Sequence, residues 1–118
     1  MRDPRKLEAF QLADALTIEV YRGTRCLPGE ERYGLQSQMR RAAVSVPTNL
    51  VEGCTRPSLR EYQRGVAIAL ASACELRYLI GLASRLDYLD PPRGQDLERA
   101  CGRVVRALQA LAIALAKL

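Results

Sequence analysis

Residues 58–88 read SLREYQRGVAIALASACELRYLIGLASRLDY, and that stretch reads as one long helix. Ser58 and Glu61 have the spacing of a capping box: the hydroxyl accepts from the first turn and the carboxylate reaches back to the cap. Behind them Tyr62, Val66, Ala69, Ala73, Leu76, Ile80 and Ala83 recur at steps of three and four, which is one helical face. The helix should end near Tyr88, before Asp90-Pro91-Pro92, at a length of roughly 45 Å. Its most apolar part, Gly65 to Ala83, carries Glu75 and Arg77 at its middle, which argues for a buried helix and against a membrane span.

Three further helices follow outward from it. The first should start at Asp3-Pro4, an N-cap followed by a proline suited to the first helical position, and run to about Arg25, where Leu27-Pro28-Gly29 ends it. The second should run from about Leu35 to Glu52 with Gly53 as its stop. Pro47 lies inside it and predicts a kink, because the apolar set Leu35, Met39, Ala42, Val46 and Leu50 continues through the proline; two short helices are the alternative. The fourth should begin between Asp90 and Gln95 and run to the C-terminus, with Leu97, Cys101, Val104, Leu108, Leu111, Leu115 and Leu118 as a heptad seam. Short connections favour antiparallel neighbours. The expected fold is all-α, a single domain over 1–118: an antiparallel up-down-up-down four-helix bundle with a kinked second helix.

Composition agrees with helices. The chain has 118 residues, no Trp and one Phe, and Ala and Leu fill the apolar positions where strands would want β-branched and aromatic residues. The net charge is +5, carried mostly by Arg, which permits acidic or nucleic-acid partners without requiring them. Cys26, Cys54, Cys74 and Cys101 form no CxxC pair and there is no His. A zinc site would therefore need four thiolates from scattered helices, and the expectation is reduced thiols, no metal, no cofactor and a cytoplasmic setting. The N-terminal stretch from Met1 has no apolar segment of the signal-peptide kind. No Ser or Cys has an evident base, no phosphate-binding glycine loop occurs, and Glu52, Glu61 and Glu75 each lie near Arg, which suggests ion pairs. An enzyme is not expected.

The surfaces carry the remaining information. On the first helix Ala9, Leu12, Ala13, Leu16 and Val20 form one apolar sector, and Leu7, Phe10, Ile18 and Tyr21 form another. Together they make roughly twice the ~100° arc that a surface helix needs. The second sector reads as an oligomer interface, unless the helix is simply the most buried of the bundle. Ile68, Leu79 and Leu86 lie off the main stripe of the third helix in the same way. On the second helix Gln38, Arg41, Ser45, Asn49 and Glu52 make a polar stripe, either a solvated face or a hydrogen-bonded network. Ser45 and Asn49 could satisfy backbone groups freed by Pro47. Arg99, Arg103 and Arg106 share the back of the fourth helix. Arg60 and Arg64, with Gln63 beside them, make a similar step on the third, and Arg40 and Arg41 add to the second. Such arginines either solubilise the chain or track phosphates without reading sequence.

The middle of the chain also resembles a known family. Pro28, Glu31, Tyr33, Gly34 and Leu35 match P-x-x-E-x-[FY]-G-L, and Gln38 to Gly53 matches Q-x-R-R-A-x-x-S-[IV]-P-x-N-[IL]-x-E-G. Ser58 with Glu61-Tyr62, and Ser72 with Glu75-Leu76, fit its later pieces. This is similar to the four-helix-bundle proteins encoded in intervening sequences of bacterial 23S ribosomal RNA genes, over about residues 6 to 90. Ala71 departs from the family's usual glycine, and Val51 and Cys54 from its smaller residues. The resemblance implies a homopentameric ring without enzyme activity, and it places Glu75 with the second-helix stripe in a structural or interface network. Related accessory proteins of diversity-generating retroelements bind a reverse transcriptase and nucleic acid. Three functions follow as expectations: an oligomeric bundle associated with RNA or a nucleoprotein, an accessory subunit of a reverse transcriptase, and a protein-binding scaffold.

Overall fold

A computed structural model describes residues 2–118; Met1, where the stretch read for a leader begins, lies outside the described residues. Four helices carry the fold: α1 (Glu8–Gly23), α2 (Leu35–Thr55), α3 (Leu59–Arg85) and α4 (Pro91–Ala116). Each packs against its chain neighbours, and α1 against α4 closes the circuit, with no diagonal contact among the described residues. This is the up-down-up-down arrangement, 45 × 23 × 19 Å in extent. Interhelical bonds fix the antiparallel sense of α3 and α4. Cys101 Sγ donates to the Ala73 carbonyl, and Gln63 Nε2 to the Leu115 carbonyl.

The core is the set of periodic stripes. Leu35, Met39, Ala42, Val46 and Leu50 of α2 are buried, as are all seven stripe residues of α3. On α4 Leu97, Cys101, Val104, Leu108 and Leu115 are buried, Leu111 is half-buried and Leu118 is exposed, so the seam opens at its last turn. Leu79, expected off the α3 stripe, belongs to the core, while Ile68 and Leu86 stay exposed. Although α3 is long and apolar enough to cross a membrane, its stripe is spent on α2 and α4.

The helix ends differ from expectation for physical reasons. Asp3 does cap, accepting from Arg5 N at 3.0 Å, but it caps a 3-10 turn, Pro4–Lys6, and Leu7 is extended before α1 begins. Ser58 Oγ accepts from Glu61 N at 3.1 Å, the one half of the capping box that forms. Gly53 does not stop α2, which continues to Thr55. It lies where α2 and α3 cross: a Cβ on Gly65 would stand 3.1 Å from Gly53 Cα and 3.0 Å from the Asn49 carbonyl oxygen. The two glycines therefore set the closest approach of these helices.

Helix α2 runs unbroken through Pro47. A proline there leaves the carbonyl of residue 43 without its helical donor. Ser45 and Asn49 do not fill the gap. Thr17 of α1 reaches it: its single hydroxyl proton is shared between the Ala13 carbonyl at 2.8 Å and the Ala43 carbonyl at 3.2 Å.

Candidate nucleic-acid interface

Asp90 caps α4 by accepting from Arg93 N at 2.9 Å, with Pro91 in the first helical position. Burial of the seam from Leu97 to Leu108 then turns Arg99, Arg103 and Arg106 outward. All three are exposed and line one concavity of about 710 Å³. Arg77 of α3 lines the same concavity; the sequence reading noted it only as a charge inside an apolar helix. Arg99 is held by Asp96. Among the described residues, Arg77, Arg103 and Arg106 make no ion pair. Two further carboxylates line the concavity. Glu19 is engaged by Arg22, and Glu98 lies outside ion-pair distance of any arginine.

The other arginines do not join this face. Arg64 lines a separate groove with Glu52, Glu61 and Ile68, and the run of α3 from Arg64 to Arg77 puts them roughly 20 Å apart along the axis. Arg60 lies a turn further away, and Gln63 is turned inward to α4. Arg40 is committed to the end of α1. Its Nε donates to Thr24 Oγ1 at 3.0 Å, its Nη2 to the Tyr21 carbonyl at 3.1 Å, and its guanidinium lies over the Tyr21 ring. With Gln36 Nε2 on the Thr24 carbonyl, it satisfies carbonyls that the end of α1 leaves open, and its charge suits that end of the helix dipole.

The α2 stripe divides into two parts. Ser45 Oγ meets Ser72 Oγ at 2.8 Å, and Asn49 Nδ2 donates to the Ser45 carbonyl and hydroxyl at 2.7 and 3.0 Å. These three residues join α2 to α3. Gln38, Arg41, Glu52 and Glu75 are exposed, and among the described residues their side chains have no intrachain hydrogen-bond partner. The ion pairs expected for Glu52, Glu61 and Glu75 do not form within the chain. Residues one or two places apart on a helix do not face each other, which is the case for Glu61 with Arg60 and for Glu75 with Arg77. Gln38, Arg41 and Glu75 line one shallow groove between α2 and α3.

The two sectors of α1 separate only in part. Ala9, Ala13, Leu16 and Val20 are core and Leu12 packs half-buried against it. Leu7 and Phe10 also lean on the core, while Ile18 and Tyr21 are 48% and 41% exposed. Val44 and Val51 of α2 add partly exposed apolar surface. Cys26 and Cys74 are exposed free thiols; Cys54 and Cys101 are buried. Burial pushes the Cys101 thiol up to about 12. No group of three or more His, Cys, Asp or Glu among the described residues is placed to hold a metal.

Comparison with known proteins agrees with this fold. A crystal structure of a protein of unknown function from the S23 ribosomal protein family of Bacteroides thetaiotaomicron superposes with a TM-score of 0.81 at 17% identity, covering 88% of this chain and 94% of that one. No curated protein matches the chain. The family model for 23S rRNA-intervening sequence proteins matches residues 5–110, nearly the whole bundle including α4, and the chain belongs to that family.

Proposed function

We propose that this protein is a non-enzymatic bundle that assembles with copies of itself and associates with RNA, or with an RNA–protein complex, through the arginine face of α4. One observation carries the reading: Arg103 and Arg106 line a single concavity with Arg99 and have no acidic partner in range. Solubilising arginines on a helix commonly find a carboxylate one turn away, as Arg99 does. Guanidiniums left free on one face suit phosphate oxygens, which they contact in a forked geometry. Charge alone would carry such binding, so it should have little sequence preference and fall steeply with salt. The test is a gel-shift series with a structured RNA across salt concentrations, comparing the wild type with Arg99→Gln/Arg103→Gln/Arg106→Gln. Loss of binding and a shallower salt slope in an assembled variant support the reading; unchanged affinity and slope refute it.

A second reading is favoured by the partly exposed Ile18, Tyr21, Val44 and Val51. It makes the bundle a scaffold whose partners are proteins, copies of this chain first and a reverse transcriptase as the family's relatives suggest. Failure of the wild type to bind RNA at low salt would put this reading ahead. A cytoplasmic setting suits both, since all four thiols are free.

A further inference from the structure

The concavity on α4 has a built floor. A Cβ placed on Gly102 would have as its three nearest neighbours Arg106 Nη1 at 3.4 Å, Arg77 Nη2 at 3.9 Å and Arg77 Cζ at 4.0 Å. Guanidiniums from two different helices thus lie over one backbone position, the buried Gly102, within van der Waals reach of where a methyl would stand. Two like charges on one face favour an anion that bridges them. No carboxylate of the chain supplies it: among the described residues neither Arg77 nor Arg106 is ion-paired. A glycine inside a helix is also weaker than alanine. Here the missing side chain leaves the helix surface at residue 102 to the two guanidiniums.

We propose that Arg77 and Arg106, closing over Gly102 with Arg103 on the same wall, form a clamp for the oxyanion of a phosphate group. A tetrahedral phosphate offers oxygens to two forks at once, which a planar carboxylate on a short side chain does less well. The clamp rests on the reading of α4 as a phosphate-contacting face and adds to it the α3 residue and the glycine that make a site out of a stripe. Its ligand is a phosphodiester of RNA or a free phosphate, and the experiment has an arm for each.

In the first arm, a fluorescent RNA hairpin is titrated against the full-length protein and followed by anisotropy over a range of salt. Arg77→Gln should weaken binding about tenfold, the loss of one charge-assisted contact, and lower the salt slope by about one. Arg85→Gln, the same charge removed from the same helix outside the clamp, should bind nearly as the wild type does. Gly102→Ala should raise Tm, because it strengthens the helix, and still weaken RNA binding, because its methyl takes up the surface on which the two guanidiniums rest. A merely structural role for Gly102 would not separate these two readouts. If Arg77→Gln and Gly102→Ala bind as the wild type does while the α4 triple variant loses binding, the face stands and the clamp is overturned. In the second arm, inorganic pyrophosphate is added and Tm is read. If the wild type ignores the hairpin but gains Tm with pyrophosphate, and Arg77→Gln does not, the RNA reading falls and the clamp is upheld as a site for free phosphate. If neither anion acts on the wild type, the clamp is overturned.

Discussion

Single residues decide more here than their types announce. Cys101 and Cys54 are buried, and burial raises both thiols, that of Cys101 from the ordinary 9.0 to about 12. Because the folded value of Cys101 lies above the unfolded one, its contribution to stability is complete below about pH 9 and is lost as the pH climbs through about 12. The urea midpoint should therefore fall across the alkaline range, and replacing Cys101 with Ser should flatten part of that fall. At mildly alkaline pH a thiol reagent should modify Cys26 and Cys74 in the native protein and reach Cys54 and Cys101 only on unfolding. Four thiols reacting at one rate would contradict the burial. Thr17 gives a sharper case. Its hydroxyl bridges to the Ala43 carbonyl that Pro47 leaves open, so Thr17→Val should cost about 1 kcal/mol. In a Pro47→Ala background, where residue 47 regains an N–H, the cost should nearly vanish, and a double-mutant cycle by urea denaturation measures the difference. Additive effects would mean that Thr17 does not serve that carbonyl. The open carbonyl is legible in the sequence from Pro47 alone. Its partner is not, because it sits 26 residues away on another helix, and helical periodicity says nothing about which neighbour faces which turn.

At the scale of elements, the apolar stripes of α2, α3 and α4 were legible because burial imposes the helical period on composition. The ends were less so, since one residue type serves several purposes. Glycine is common just past a helix, which made Gly53 a plausible stop; instead it faces α3, where an added Cβ would stand 3.3 Å from the Tyr62 ring and 3.6 Å from Gly65 Cα. Gly65→Ala should push two backbones apart and cost about 1–3 kcal/mol. Gly81→Ala, in the same helix with nothing within 4 Å of its new Cβ, should add up to about 1 kcal/mol. Thermal melts of the pair compare a packing glycine with a spare one, and equal shifts would remove the close approach as the explanation. The end of α3 hides a similar ambiguity. Asp87 takes φ 62°, with its N–H on the Ser84 carbonyl and that of Tyr88 on the Ala83 carbonyl, which is a Schellman closure without glycine. Asp is among the few residues that tolerate this conformation, so the motif leaves no glycine to read. Glu31 explains a family motif that the sequence offered only as a pattern. Its Oε1 accepts from Leu35 N at 3.1 Å and caps α2, and its Oε2 accepts from the Tyr88 hydroxyl at 3.1 Å, joining the α1–α2 and α3–α4 connections at one end of the bundle.

For the whole molecule, the limit of the sequence is that a stripe belongs to one helix and a site belongs to several. Arg99, Arg103 and Arg106 could be found by counting along α4; Arg77 could not be added until α3 and α4 were paired with Gly102 between them. Assembly has the same character. The α1 arc is too wide for one core, and the bundle covers only part of it: Leu7 and Phe10 lean inward, while Ile18 stays 48% exposed. A buried unpaired charge would unfold the subunit, but at a half-exposed position Glu can reach water, so Ile18→Glu should leave the helical signal and Tm of the isolated bundle nearly intact. If that surface is covered by a second copy, the same substitution places a charge in an apolar contact and should shift the protein toward monomer. Gln38, Arg41, Glu52 and Glu75 give a parallel expectation. Among the described residues these exposed polar groups have no partner, and a neighbouring subunit is where complementary ones would be found. Glu52→Ala should then lower oligomer yield without changing the fold of the subunit. Light scattering coupled to size exclusion, with circular dichroism on the same fractions, separates the outcomes. A wild type that is monomeric at micromolar concentration would end the assembly hypothesis. An Ile18→Glu protein that stays oligomeric would move the interface off α1 and onto the polar face of α2 and α3, where Glu52→Ala reads the groove that Glu52 shares with Arg64.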